Sequence, residues 1–355
     1  MPAEWEPHGA TWIAWPHNPL DWPRRFPAIP WVVADIVRYL ARTEIVNIVV
    51  EHKVHETSAR KILVEANVFK TVPEGSIVFH RWPTDRMWVR DSGATFVVRD
   101  SKGRKELGAV CWGFNAWAKY NDWHKDARIS AKMASEAKCN KSNTWHPEIT
   151  IKKKTRRVVL EGGGIEANGA GVVMVTEEWL LSDTQVRNPG IDRAAYEKLF
   201  ADYLGATQTI WLKHGIVGDD THGHIDDLAR FVGPNYVLLA TEDDPKDPNY
   251  RLLQQNLKVL RSARDHNGSK FEIIPLPMPS PVIIRGQRVP ASYANFYIAN
   301  NLVLVPTFND PKDRSALDLL ANIFPDRKVV GIHCGDFIWG LGAIHCMTQQ
   351  QPGIE

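Results

Sequence analysis

Little in this sequence of 355 residues is extreme, and what is scarce narrows its function. Cysteine is scarce: Cys111, Cys139, Cys334 and Cys346 are the four in the chain. Four thiols in a chain this long do not make a disulfide framework, so a reducing, cytoplasmic setting is expected. No apolar run approaches the ~18 residues that a membrane span needs. The run Met1-Pro2-Ala3-Glu4-Trp5-Glu6-Pro7-His8 has neither a basic start nor an apolar stretch, and does not read as a signal peptide. Charge of neither sign dominates, with 43 Lys plus Arg against 41 Asp plus Glu, so nothing points to nucleic acid. The densest basic run, Lys152-Lys153-Lys154 with Arg156-Arg157, is short and reads as a solvated loop. Low-complexity linkers are missing too, and one domain over residues 1–355 is expected.

Hydrophobic residues make up 44% of the chain, ample for a core. Apolar runs of four to six residues alternate with helical patterns. Strands are expected at Thr11–Trp15, Ile45–Val50, Ala94–Val98, Val158–Leu160, Val172–Val175, Gln208–Leu212, Tyr236–Ala240, Phe271–Pro275 and Leu302–Pro306. Helices are expected at Trp31–Leu40, His55–Ala66, Asp126–Ala137, Asp192–Tyr203, Tyr250–Ala263 and Ser315–Phe324. The alternation predicts an α/β protein. Five helix-then-strand units stand out: Trp31 to Val50, His55 to Phe79, Asp192 to Leu212, Tyr250 to Pro275 and Ser315 to Ile332. Their irregular spacing does not establish a repeat.

Chemistry concentrates in four segments. Cys346 ends Gly340-Leu341-Gly342-Ala343-Ile344-His345-Cys346. It reads as a nucleophile or as an inert buried thiol; the small residues before it allow a ligand close to the backbone. His333-Cys334 and His345-Cys346 would make poor metal chelates, because adjacent residues on a strand face apart. In Thr221-His222-Gly223-His224-Ile225-Asp226-Asp227, an extended chain would turn His222, His224 and Asp226 the same way. His224 could then move protons while Asp226 grips a cation. The same segment resembles the metal signature of metallo-β-lactamase-like hydrolases, but Asp227 stands where that signature has histidine.

In Asp85-Arg86-Met87-Trp88-Val89-Arg90-Asp91, Asp91 can accept paired N–H bonds from a guanidinium, and Trp88 can cover its face or stem. The alternative is a plain loop ion pair of Asp91 with Arg86. Glu161-Gly162-Gly163-Gly164 ends an expected strand where the backbone can approach other groups; no P-loop or dinucleotide spacing follows it. A thiol, a histidine and several carboxylates together suit covalent chemistry on a guanidinium.

Taken in order, these motifs resemble the agmatine deiminase and bacterial-type peptidylarginine deiminase family, within the guanidino-group-modifying superfamily. The resemblance runs from Met1–His8 and Trp12-Ile13-Ala14-Trp15-Pro16 through Trp88–Gly93, Glu161-Gly162-Gly163 and Gly223-His224-Ile225-Asp226. It continues through Ala291-Ser292-Tyr293-Ala294-Asn295-Phe296-Tyr297-Ile298-Ala299-Asn300 to Ile344-His345-Cys346-Met347-Thr348-Gln349-Gln350. It implies an α/β fold of five pseudo-symmetric propeller blades with the site in a central channel, and a homodimer. It makes Cys346 the nucleophile, His224 the general acid and base, Asp91 and Asp226 the guanidinium-binding carboxylates, and Glu161 the acid that orients His224 and raises its pKa. Agmatine would become N-carbamoylputrescine, a step of putrescine and polyamine biosynthesis, with no metal and no organic cofactor.

The chain departs from the family pattern at Leu341 and Ala343, at Glu166 and at His222, which leaves the mouth of the pocket open. Asp220, four residues before His224, is a candidate partner for a distal amine. Free or peptidyl arginine is the alternative substrate, with Arg285 or Arg288 as carboxylate partners. An amidinotransferase, a metallo-β-lactamase-like hydrolase and a non-catalytic binding protein are further alternatives.

Overall fold

The computed structural model describes residues 1–101, 103–265 and 267–354. The chain forms an α/β fold. Among the described residues, five sheets of three or four strands repeat one bonding pattern, and two short ribbons accompany them. In each of the five, a short edge strand runs antiparallel to a central strand, which then pairs in parallel with the next strand. The edge and central pairs are Thr95–Ser101 with Arg104–Val110, Glu166–Ala167 with Val172–Thr176, Ala229–Gly233 with Tyr236–Thr241, Tyr297–Ala299 with Leu302–Thr307, and Thr348–Pro352 with His8–Ala14. The last pair joins the two ends of the chain.

The parallel pairings need helical crossovers; the five helix-then-strand units provide five, and Ile129–Glu136 lies between Arg104–Val110 and Thr144–Trp145 in the sixth. Helices Ile29–Leu40 and Lys53–Glu65 serve the sheet containing His8–Ala14, so the first two units share one sheet. Helices Arg193–Leu204, Pro248–Ser262 and Asp313–Ile323 serve one sheet each. Local chemistry sets their bounds. Asp192 caps the first of these by accepting from the Ala195 N–H, and Gly205 ends it at φ +68°. Asp247 accepts from Asn249 N–H ahead of Pro248, a proline placed where no helical donor is lost. Central strands such as Ile45–Val50 and Val172–Thr176 are almost wholly buried, which is why they read as unbroken apolar runs.

One expected strand is absent, and a strand near the carboxyl end was not expected. Val158–Leu160 is not a strand: it makes one isolated bridge, Gly113 to Val159. Val158 and Leu160 are buried and Val159 is half-buried, and the segment then turns into the site. Thr348–Pro352, with three glutamines, carries no strand signal, yet it pairs with His8–Ala14. Its polar groups are satisfied: Gln350 accepts from Arg90 at 2.7 Å and Gln351 from Trp12 Nε1 at 3.0 Å. The basic run at residues 152–157 forms an exposed hairpin, as a solvated loop should. The four cysteines are free. Among the described residues no helix is long and apolar enough to cross a membrane.

Candidate active site

The turns just ahead of the five edge strands carry the site. Asp91 lies in Val89–Ser92 before Thr95–Ser101, and Glu161 precedes the Gly162–Gly164 turn before Glu166–Ala167. His224 and Asp226 lie at Ile225–Asp227 before Ala229–Gly233, and Cys346 in Ile344–Met347 before Thr348–Pro352. The remaining turn, before Tyr297–Ala299, brings Asn295. All of these side chains are buried. Asp91 and Cys346 border a cavity with a volume of about 350 Å³; His224 lies against Asp91, and Asp226 against Cys346. The cavity wall includes Cys346, Asp91, Trp88, Trp117, Asp220 and Leu341.

Glycine lets the turns come together. A Cβ on Gly163 would stand 2.7 Å from His224 Nδ1, 2.8 Å from Asp91 Oδ1 and 3.1 Å from Asp226 Oδ2. That space is filled from three sides by functional groups, so any side chain would displace them. Gly223, at φ +103°, permits the sharp entry into the Ile225–Asp227 turn, and Asp219 secures it by accepting from the Gly223 and His224 N–H groups.

This geometry corrects the expected His-x-His-x-Asp alignment. The segment is a turn, not an extended strand, and His222 has φ +64°. His222 points away and its Nε2 meets Ser182 Oγ at 3.0 Å, whereas His224 and Asp226 point inward. The metal signature therefore does not converge. Glu166, another departure from the family pattern, is structural: it accepts from Arg230 and from the Phe231 N–H.

Asp91 is held by the Gly163 N–H at 3.0 Å and Trp117 Nε1 at 2.8 Å. Its expected loop pairing with Arg86 is not made; Arg86 pairs with Asp21 and Asp122. Burial pushes the Asp91 pKa up to about 6, with His224 opposing and Asp226 adding to the rise. Glu161 accepts from Trp179 Nε1 at 2.6 Å and from Arg187 Nε at 3.1 Å. Burial alone would raise its pKa, but Arg187 and His224 hold it at about 2. His224 sits between these two acids, Nδ1 3.8 Å from Asp91 and Nε2 3.6 Å from Glu161. Burial disfavours its cation, yet the two carboxylates outweigh burial and lift its pKa to about 9.

Asp226 faces the sulfur, its Oδ2 3.7 Å from Cys346 Sγ. His345 bridges this oxygen and Glu4, with Nδ1 2.7 Å from Asp226 Oδ2 and Nε2 2.7 Å from Glu4 Oε2. Burial would raise the Asp226 pKa, but His345 keeps it below the usual carboxylate value. Its Oδ1 is buried and has no partner, an acceptor left free for a ligand. The Cys346 thiol is pushed well up by burial and by Asp226, Asp227 and Asp91. Burial and the surrounding acids thus favour a protonated sulfur, an arrangement that suits an incoming cation.

Trp88 and Asp220 line the same cavity. Asp220 is already engaged, by the Lys119 ammonium and by the Tyr120 hydroxyl at 2.8 Å. Arg288 pairs with Asp247 at 2.8 Å, and neither it nor Arg285 borders the cavity. Leu341 does border it, in a left-handed conformation (φ +64°) that a branched side chain rarely takes. Sequence reasoning did not pick out Glu4, Trp117, Trp179, Arg187 or Asn295, and weighed His345 only as a metal ligand beside Cys346. Each acts on a charged or reactive neighbour from a distant part of the chain. The exceptions to their silence in sequence are Glu4, Asn295 and His345, which fall inside quoted motifs.

The chain matches the family model described as Porphyromonas-type peptidyl-arginine deiminase over residues 1–352. It is 35% identical over 375 aligned residues to an agmatine deiminase of Pseudomonas aeruginosa, covering 99% of this chain and 95% of the relative. An agmatine deiminase of Pseudomonas putida is 36% identical, with the same coverage of both chains. The solved agmatine deiminase of Enterococcus faecalis superposes with a TM-score of 0.84 at 29% identity, over 99% of this chain and 95% of that one. From its amino-terminal motif to its carboxyl-terminal cysteine, the chain belongs to the Porphyromonas-type peptidyl-arginine deiminase family.

Proposed function

We propose that this chain is an agmatine deiminase that hydrolyses agmatine to N-carbamoylputrescine and ammonia. The observation that carries the reading is the convergence of one thiol, one histidine of raised pKa and two carboxylates: Cys346 and Asp91 border one cavity, Asp226 stands 3.7 Å from the sulfur and His224 3.8 Å from Asp91. Asp91 and Asp226 hold the guanidinium in plane, with its central carbon against Cys346 Sγ. Such alignment supplies roughly 7–11 kcal/mol in well-positioned systems. The bound cation offsets the surrounding acids and favours the thiolate. The thiolate adds to carbon, His224 gives its proton to the departing nitrogen, and ammonia leaves. The amidino carbon stays on sulfur as a thiouronium. Water, losing a proton to His224, attacks the same carbon; the thiolate departs and the ureido product is released. Every step uses groups of the chain, substrate and water.

The cavity wall favours agmatine over arginine. Asp21, Asp122 and Asp220 border it, while its cation Arg86 is paired with Asp21 and Asp122. Asp220 is likewise engaged, by Lys119, so among the described residues the wall offers a substrate carboxylate no unpaired cation, which supports a substrate without a carboxylate. The repeated strand pattern supports reading the five sheets as blades of a pseudo-symmetric propeller within one domain. Agmatine, free arginine and a blocked arginine peptide, offered separately to purified protein, test the substrate. Ureido product from agmatine above the other two is expected; a preference for either arginine substrate would overturn it.

A further inference from the structure

Four of the five edge-strand turns carry Asp91, Glu161, the pair His224 and Asp226, and Cys346. The turn before Tyr297–Ala299 carries Asn295, a neutral residue with no part in the mechanism above. Its side chain is fully buried, and every hydrogen-bonding position on it is used. Nδ2 donates to Cys346 Sγ at 3.0 Å and to Asp227 Oδ1 at 2.9 Å. Oδ1 accepts from the backbone N–H of His345 at 3.0 Å and of Cys346 at 3.3 Å. A primary amide offers two donors and two acceptor positions, so nothing is left over. The partners also fix its orientation. A flipped amide would set its oxygen against the sulfur and the Asp227 carboxyl, and its NH₂ against two N–H groups.

We propose that Asn295 is a further catalytic residue of this site, the donor that holds Cys346 Sγ in place and stabilises its thiolate. The proposal rests on the deiminase reading. Among the described residues, Asn295 is the one side chain with an N–H bonded to the sulfur. The backbone at Ala343 also favours the thiolate, and the remaining charged groups facing the sulfur are acids: Asp226 at 3.7 Å, with Asp227 and Asp91 nearby. As the proton leaves sulfur, every one of those acids opposes the new charge, whereas the Nδ2–H bond strengthens. Because the same amide also ties down the two N–H groups of the Ile344–Met347 turn, it sets where the sulfur sits as well as how readily it ionises.

The two halves of the amide separate these roles. Asn295→Asp keeps an acceptor for the backbone and loses the donor; Asn295→Ala loses both. The experiment follows alkylation of Cys346 by iodoacetamide against pH, with thermal unfolding and agmatine affinity by calorimetry alongside. Both folded variants are expected to bind agmatine much as the parent does. Their alkylation at neutral pH should be roughly 10- to 100-fold slower, the size of one lost charge-assisted hydrogen bond, with the inflection moved to higher pH. A folded variant whose alkylation profile matches the parent would overturn the proposal.

Should both variants unfold, selective ¹⁵N-asparagine labelling of the unchanged protein decides. One side-chain amide signal should move with thiol ionisation and shift when Cys346 is alkylated, and the lack of any such signal would overturn the proposal. Failure of the deiminase reading itself looks different: the unchanged protein would release no ureido product, whatever its alkylation profile.

Discussion

Cys346 Sγ lies 3.7 Å from Asp226 Oδ2, although 120 residues separate them in sequence. Asp226 thereby touches the reacting sulfur and, through its unpartnered Oδ1, is free to bind the substrate's cation. Removing the charge of either proposed guanidinium partner should therefore be costly. Asp226→Asn and Asp91→Asn should each lower kcat/KM by the equivalent of about 2–5 kcal/mol, as expected when one member of a buried charge pair is lost. Steady-state kinetics with agmatine check this, and an unchanged kcat/KM would remove that carboxylate from the substrate contact.

The pKa shifts set a pH window. Asp91 must be ionised to hold the cation, and it takes up a proton below about pH 6. His224 must carry the proton it donates, and it loses that proton above about pH 9. A plot of kcat/KM against pH should be bell-shaped, with limbs near those values, each good to about one unit. Glu161 is one of the charges that raise the His224 pKa, so Glu161→Gln should move the alkaline limb to lower pH. An alkaline limb that stays put in that variant would take Glu161 out of the tuning of His224.

Gly163 tests how tightly the groups are packed. In Gly163→Ala the added carbon would stand within 3.1 Å of His224, Asp91 and Asp226. Displacements of about 1 Å at a reacting centre cost on the order of 10²-fold in rate. A loss of that size is expected while the protein stays folded, read as kcat beside the unfolding temperature. Near-normal kcat would show that the three side chains need not sit so close.

Metal dependence separates this chemistry from a hydrolase that uses an ion. Asp226, Asp227 and Cys346 could place ligand atoms within 4.8 Å of one another, but no imidazole joins them. Among the residues that border this trio, Asn295 already donates to Asp227 and to the sulfur. Turnover should survive a chelator unchanged; a loss restored by zinc would favour the metal mechanism.

The fold was legible in sequence wherever hydrophobic patterning decides it. Ile45–Val50 and Val172–Thr176 fall where their apolar runs place them, because buried central strands need little else. Thr348–Pro352 was not legible, since its glutamines become strand residues only when Arg90 and Trp12 satisfy them. Val158–Leu160 misled for the opposite reason: apolar residues can be buried in an irregular segment. In the site, charged and reactive residues beside glycine drew attention to Cys346, His224, Asp226, Asp91 and Glu161. His222 was misjudged because the extended-chain rule does not hold across a glycine at φ +103°. Arg187, Trp179 and Asn295 act by distance alone, through contacts whose partners lie 18 to 51 residues away.

The covalent step is the claim on which the rest depends. Agmatine should be mixed with excess protein, the reaction quenched in acid within one turnover, and the intact protein and its peptides weighed. A transient adduct is predicted on the peptide containing Cys346, heavier by agmatine less ammonia, rising before N-carbamoylputrescine appears and absent in Cys346→Ala. Product formed by Cys346→Ala, or by the unchanged protein with no adduct at any time, would contradict the account.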